Sequence, residues 1–131
     1  AAKLTPARTL LMFDNGNNRA VAYSPPLPSE RRFSRGLEYA VDEAAGTVEI
    51  VWEYGRELEP PYVSTAMGDV DYLPQTDHML LTLGMVIGTA SSRIVETTHT
   101  MPAEVVWELA LYDTGGATFY RAERIPSLDV L

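Results

Sequence analysis

Few side chains in this chain could carry covalent chemistry, and they are scattered. There is no cysteine, which removes thiolate nucleophiles, disulfides and thiolate metal sites together. Two histidines are present, His78 and His99, and a histidine can serve as nucleophile, base or ligand. No metal-ligand spacing such as His-x-x-x-His joins them. His78 closes the short turn Gln75-Thr76-Asp77-His78, and His99 stands near a strand end in Thr97-Thr98-His99-Thr100, so both read as solvated turn residues. Arg19 follows the turn former Asp14-Asn15-Gly16. A planar guanidinium donates two hydrogen bonds together to an oxyanion. The pattern alone allows a plainer role for Arg19, as a solvated loop residue or the partner of Asp14. Asp14 and Asn15 then support the Arg19 loop. Asp69 and Asp71 alternate along one strand, but two carboxylates without further ligands make neither a calcium site nor a glycosidase pair.

The background to these residues is an ordinary globular composition. The 131 residues are 46% hydrophobic and 21% charged, enough for a modest core and against wholesale disorder. The formal net charge is -8, with the acidic residues spread along the chain and no basic stripe. Phosphate backbones and anionic membrane surfaces need clustered Lys and Arg, so neither a nucleic acid nor a membrane is expected as a partner. No stretch reaches the roughly 18 apolar residues of a membrane span.

What must position these side chains is a repeat. Val51-Trp52-Glu53-Tyr54 recurs as Val106-Trp107-Glu108-Leu109, and Ser34-Arg35 recurs as Ser92-Arg93. Upstream, Leu10-Leu11 matches Leu80-Leu81, and the order of all the matches is kept. The unequal spacing is absorbed by an insertion from Ala20 to Phe33, whose Ser24-Pro25-Pro26-Leu27-Pro28 reads as a loop. Each unit shows period-two alternation, as in Val48, Ile50, Trp52 and Tyr54 against Glu49, Val51 and Glu53. Strands are expected near 9–14, 36–42, 48–54, 68–73, 79–84, 92–98, 104–111 and 118–124, with no sustained helical periodicity. The period suits an all-β chain, a β-propeller fragment of about two four-stranded blades. Residues 1–55 form an incomplete blade lacking most of its inner strand, 68–111 a full blade, and 118–131 a closing strand or the next inner strand. Trp52 and Trp107, at matching positions, are expected to pack blade on blade. A free-standing β-sandwich interaction domain is the competing fold, and the repeat argues against it.

Several segments together resemble the bacterial aryl-sulfate sulfotransferase family. They are Leu10-Leu11-Met12-Phe13-Asp14-Asn15-Gly16-Asn17-Asn18-Arg19, Phe33 to Asp42, Thr47 to Gly55, Gly68-Asp69-Val70-Asp71-Tyr72-Leu73-Pro74 and Tyr120-Arg121-Ala122-Glu123-Arg124-Ile125. The resemblance runs nearly end to end in consistent order and implies the C-terminal part of a six-bladed propeller, periplasmic or secreted. It implies a sulfuryl group moved from a phenolic sulfate ester to a phenol acceptor, with no nucleotide sulfate donor and no cofactor. It also implies a histidine that carries the group transiently, with an arginine, an asparagine and further histidines around a central funnel.

On that resemblance Arg19 is the catalytic candidate, in a loop at the funnel mouth where the sulfuryl oxygens would lie. Asn15, Tyr62, Met67 and Tyr120 are the substrate-binding candidates. Tyr62 and Ser64 lie in the funnel-side loop 56–67, where loop packing competes with stacking on a phenol. Met67 stands where the resemblance places a histidine, so the nucleophile is expected outside these residues or lost. Tyr120 and Arg121 open the last expected strand. The remaining blades are expected upstream or in another chain, and a homo-oligomer is left open. The alternative function is a non-catalytic propeller that binds or scaffolds.

Overall fold

The alternation of β-branched and aromatic residues with polar ones gives strands throughout. The computed structural model describes residues 2–19, 23–58, 61–86, 91–112 and 118–125. Eight strands appear: β1 (Ala2–Leu4), β2 (Leu10–Asp14), β3 (Arg35–Asp42), β4 (Thr47–Tyr54), β5 (Gly68–Leu73), β6 (His78–Val86), β7 (Ser91–Thr98) and β8 (Val105–Tyr112). They form two four-stranded antiparallel sheets in sequential order, β1-β2-β3-β4 and β5-β6-β7-β8. Among the described residues the only helical element is a 3-10 turn at Ser29–Arg31, inside the proline-rich insertion. The first sheet has a short edge strand, since β1 has three residues, but it is four-stranded all the same.

The two sheets repeat one design. Arg35 binds Glu53 across β3 and β4, and Arg93 binds Glu108 across β7 and β8. Glu38 stands opposite Trp52, and Glu96 opposite Trp107. The Ser34 hydroxyl donates to the Asn15 carbonyl, and the Ser92 hydroxyl to the Gly84 carbonyl, each at 2.8 Å. These equivalences correct the sequence register by one residue. Leu11 faces Glu38 and Leu80 faces Glu96, so Leu10-Leu11 corresponds to Met79-Leu80 rather than to Leu80-Leu81.

The core lies between the sheets. Leu11, Trp52 and Tyr54 from the first meet Val70, Met79, Leu81, Leu83 and Val95 from the second, with Tyr62 from the connecting loop. Trp52 is fully buried and its indole N–H donates to the Thr98 carbonyl at 3.2 Å. An indole takes on the order of 200 Å² out of water, about 5 kcal/mol. Gly36 and Gly68 permit this approach: a β-carbon at Gly36 would press on Trp52 and Leu81, and one at Gly68 on the Phe13 ring. Lys3 adds a polar tie, reaching Asp69 at 2.7 Å and Asp71 at 2.6 Å on β5. The stripe of two carboxylates is therefore a lysine clamp between β1 and β5.

Residues 118–125 depart from the expected strand. They run along the second sheet and take single bonds, Phe119 N–H to the Gly84 carbonyl at 3.0 Å and Ala122 N–H to the Thr82 hydroxyl at 3.1 Å. The segment lies over the face of β6, where neighbouring groups are mostly side chains, so no ladder can form. Residues 126–131, the end of the expected closing segment 118–131, lie outside the described residues.

Candidate functional site

One end of the molecule gathers the loop that leaves β2 and the loop that leaves β4. The turn after β2 is set by Asp14, whose carboxylate accepts the Gly16 N–H at 2.8 Å, and by Gly16 itself at φ 72°. A side chain at Gly16 would be strained and would collide with the Phe33 carbonyl. The turn delivers Arg19 to the aromatic face of Phe33, 4.0 Å from the ring centre. Its Nη2 donates to the Phe33 carbonyl at 2.8 Å and pairs with Asp14 at 3.0 Å. Arg35 also reaches Asp14, at 3.3 Å, so one carboxylate serves two guanidinium groups. The Arg19 Nε is buried and has no hydrogen-bond partner among the described residues. Burial draws the Arg19 guanidinium below its ordinary value, and the Asp14 charge opposes that. Asp14 supports the Arg19 loop, as the sequence suggested.

Asn15 and Ser64 join this loop to the next. The Asn15 amide donates to the Ser64 carbonyl at 2.5 Å, and Ser34 N–H donates to the Tyr62 carbonyl at 2.7 Å. The Ser64 hydroxyl accepts from Met85 N–H at 3.0 Å and donates to the Met67 carbonyl. Asn15, Arg19 and Met67 are thus brought to one end. Tyr62 is not open there: its ring belongs to the core, with the Arg93 guanidinium 4.4 Å from its centre. That occupied face corrects Tyr62 from a stacking surface to a packing residue in this arrangement. Tyr120 is exposed, one residue past the bond that fixes Phe119 to Gly84. A shallow cavity of about 570 Å³ opens beside the Arg19 loop, lined by Asn17, Asn18, Arg32 and Glu30 on one side and Val63 and Thr65 on the other.

Both histidines lie at the opposite end, and neither is a solvated turn residue. His78 opens β6 and its Nδ1 bonds Glu96 at 2.8 Å. His99 is held between two carboxylates, Asp77 at Nδ1 (2.9 Å) and Glu38 at Nε2. Glu38 is almost wholly buried, and the Thr9 hydroxyl also donates to it. Burial alone would lower the His99 pKa, but the bonds to Asp77 and Glu38 outweigh it and raise the value. The bond from His99 to Glu38 joins the two sheets, while His78 and Glu96 pair within the second. Sequence reasoning missed Glu38 and Glu96, although the signal was present: Ser34-Arg35-Gly36-Leu37-Glu38 and Ser92-Arg93-Ile94-Val95-Glu96 share Ser-Arg-x-x-Glu.

The profile of the Arylsulfotransferase (ASST) family matches residues 1–121, which hold both sheets and all five candidate residues. The chain belongs to the arylsulfotransferase family. It is 40% identical over 76 residues to the arylsulfate sulfotransferase AssT of Lelliottia amnigena, a match covering 58% of this chain and 12% of that protein. It is 42% identical over 64 residues to the arylsulfate sulfotransferase AssT of Escherichia coli O6:H1, covering 49% of this chain and 10% of that protein. The chain thus matches only a small part of the length of these relatives. Within the arylsulfotransferase family the Arg19 loop and the inter-sheet clasp sit in the matched region, at opposite ends of the sheets.

Proposed function

We propose that this chain is part of a β-propeller arylsulfotransferase, exported from the cytoplasm, that moves a sulfuryl group from a phenolic sulfate ester to a phenol. Membership of the arylsulfotransferase family over residues 1–121 carries this reading. Two face-packed four-stranded antiparallel sheets built on one repeat are consistent with successive propeller blades. Transfer spreads negative charge over three equatorial oxygens and a leaving phenolate, so a site needs a nucleophile and fixed donors. Arg19 is assigned to the oxygens, because it stands at the loop end with an unpaired Nε and is pre-oriented by Phe33 and Asp14. Asn15 and Met67 lie at the same end, and Tyr120 is the exposed aromatic candidate for the phenol. The nucleophilic histidine is assigned to residues outside this chain, since His78 and His99 are both engaged with carboxylates at the far end.

The same placement of the histidines favours a second reading, a non-catalytic propeller in which Asp14 and Phe33 keep Arg19 purely structural. Sulfuryl transfer from a chromogenic aryl sulfate to a phenol, measured on the full-length protein, separates the two. Arg19→Lys keeps the charge and loses the fork, so it should cost about a hundredfold in kcat/KM while leaving the circular dichroism spectrum unchanged. An intact protein that releases no phenol with any acceptor would end the enzymatic reading. Full activity in Arg19→Lys would remove Arg19 from the chemistry.

A further inference from the structure

All the asparagines of this chain stand in the Arg19 loop, and one of them, Asn15, precedes a glycine. An Asn-Gly pair carries chemistry of its own. Glycine has no β-carbon to shield its backbone nitrogen, so that nitrogen can reach the carbonyl carbon of the preceding side chain. The Gly16 nitrogen attacks Cγ of Asn15, and a C–N bond forms. The Cγ–Nδ2 bond breaks, and ammonia leaves with the proton that Gly16 gives up. Water then adds to one of the two carbonyls of the cyclic imide and leaves either aspartate or isoaspartate. Water is the only co-reactant.

Both residues are needed where they stand. Gly16 lies at φ 72°, and a β-carbon there would strike the Phe33 carbonyl. The Ser64 carbonyl can only accept a hydrogen bond, so its partner across the loops must be the amide of Asn15. Yet the folded loop pins every group that ring closure has to move. The Asn15 carbonyl accepts from the buried Ser34 hydroxyl at 2.8 Å. On the other side of the same peptide plane, Gly16 N–H donates to the Asp14 carboxylate at 2.8 Å. The side-chain nitrogen that has to leave is held on Ser64 at 2.5 Å. Gly16 is buried, and the carboxylate beside its N–H opposes loss of that proton. The attacking nitrogen and the side chain it must reach are thus turned to different partners. Asn17 adds a further tie, its amide donating to the Thr65 carbonyl at 2.8 Å. The second sheet carries no such pair: the carbonyl that Ser92 holds belongs to Gly84, which Met85 follows.

We propose that Asn15 is a hydrolytic modification site, closed while the Arg19 loop is folded and opened when Ser34, Asp14 and Ser64 release it. The product cannot restore the loop. An aspartate at this position has no N–H for the Ser64 carbonyl, and it sets a second carboxylate next to Asp14. An isoaspartate lengthens the backbone by one carbon, so the turn that carries Arg19 to Phe33 no longer closes on the same bonds. The site follows from the bonds of the loop and goes beyond the sulfotransferase reading, which can fail without touching it.

Peptide mapping by mass spectrometry tests it, on the full chain held at mildly alkaline pH with and without urea. Trypsin cuts after Arg8 and Arg19 and so releases Asn15 in one peptide. In urea that peptide should convert to the acid at Asn15. In the folded chain the conversion should be at least about tenfold slower, because it waits on local opening of the loop. Ser34→Ala, distant from Asn15 in sequence, should leave the rate in urea unchanged and speed conversion in the folded chain at least about threefold. Asp14→Ala should substitute for it if Ser34→Ala loses its circular dichroism spectrum. Asn15→Asp should lower the midpoint of thermal unfolding by about 3 °C or more. A folded wild type that converts as fast as the chain in urea overturns the proposal. A folded Ser34→Ala, or its substitute, that converts no faster than wild type overturns it too. So does conversion confined to Asn17 or Asn18, or an Asn15→Asp variant with an unchanged midpoint.

Discussion

Replacing His99 with alanine should loosen the junction between the sheets, and do so in a pH-dependent way. The Glu38 carboxylate beneath it is 1% exposed and relies on Thr9 and His99 for its hydrogen bonds. Removing one partner of a buried pair typically costs about 3–5 kcal/mol, because the other charge stays buried. His99 is 23% exposed at its side chain, so water can reach the vacated place and the expected loss is nearer about 2–3 kcal/mol. Asp77, on the turn between β5 and β6, and Tyr72 of β5, edge-on at 5.6 Å, complete the surroundings, with His78 adjacent in sequence to Asp77. The folded-state pKa of His99 is raised above its ordinary 6.5. A raised histidine contributes stability that is full below 6.5 and is lost as pH rises through the folded-state value. The penalty of His99→Ala should therefore be largest near pH 6 and shrink towards pH 9, where the wild type has lost the same contribution. Urea unfolding followed by Trp52 emission reads this directly, in a Trp107→Phe background. An equal penalty at both pH values, or one below about 0.5 kcal/mol at pH 6, would refute the charged clasp. Glu38→Gln should lessen the effect of His99→Ala in a double-mutant cycle.

The two tryptophans should respond unequally to truncation. Trp52→Ala should cost about 3–5 kcal/mol in urea unfolding, and Trp107→Ala under about 1 kcal/mol, since only Trp52 is buried. Two glycines with positive φ should also separate. Gly46→Ala faces open space and should lose only about 1 kcal/mol from strain, while Gly16→Ala also meets the Phe33 carbonyl and should lose more in thermal unfolding. Arg93→Lys keeps a charge beside Glu108 but gives up the planar stack over Tyr62, and should cost about 1 kcal/mol in the same assay.

The strands were legible in the sequence because period-two alternation and turn residues are local properties. The expected strands at 36–42, 48–54 and 68–73 differ from β3, β4 and β5 by a residue at most. The repeat was legible for the same reason, and with it the likeness that the family match bears out over residues 1–121. The role of Asp14 followed from Asp-Asn-Gly turn chemistry, which acts within a few residues.

What the sequence could not show is whatever depends on which face of a sheet is covered. Trp52 and Trp107 sit in nearly identical strings, yet one is buried against Thr98 and the other is half exposed, because among the described residues a whole sheet covers that side of the first sheet and a single segment that of the second. His78 and His99 looked solvated because their carboxylate partners lie far off along the chain: Glu96 is across a strand pair, and Glu38 is in the other sheet. For Tyr62 the sequence left loop packing and stacking on a phenol both open, and the choice came from Arg93, distant along the chain, lying over its ring. Residues 118–124 had strand-like pattern, but a strand requires an edge to pair with, and packing laid them on a face instead. Local pattern fixes which way each backbone segment runs, and burial and partnership arise only when segments distant in sequence meet.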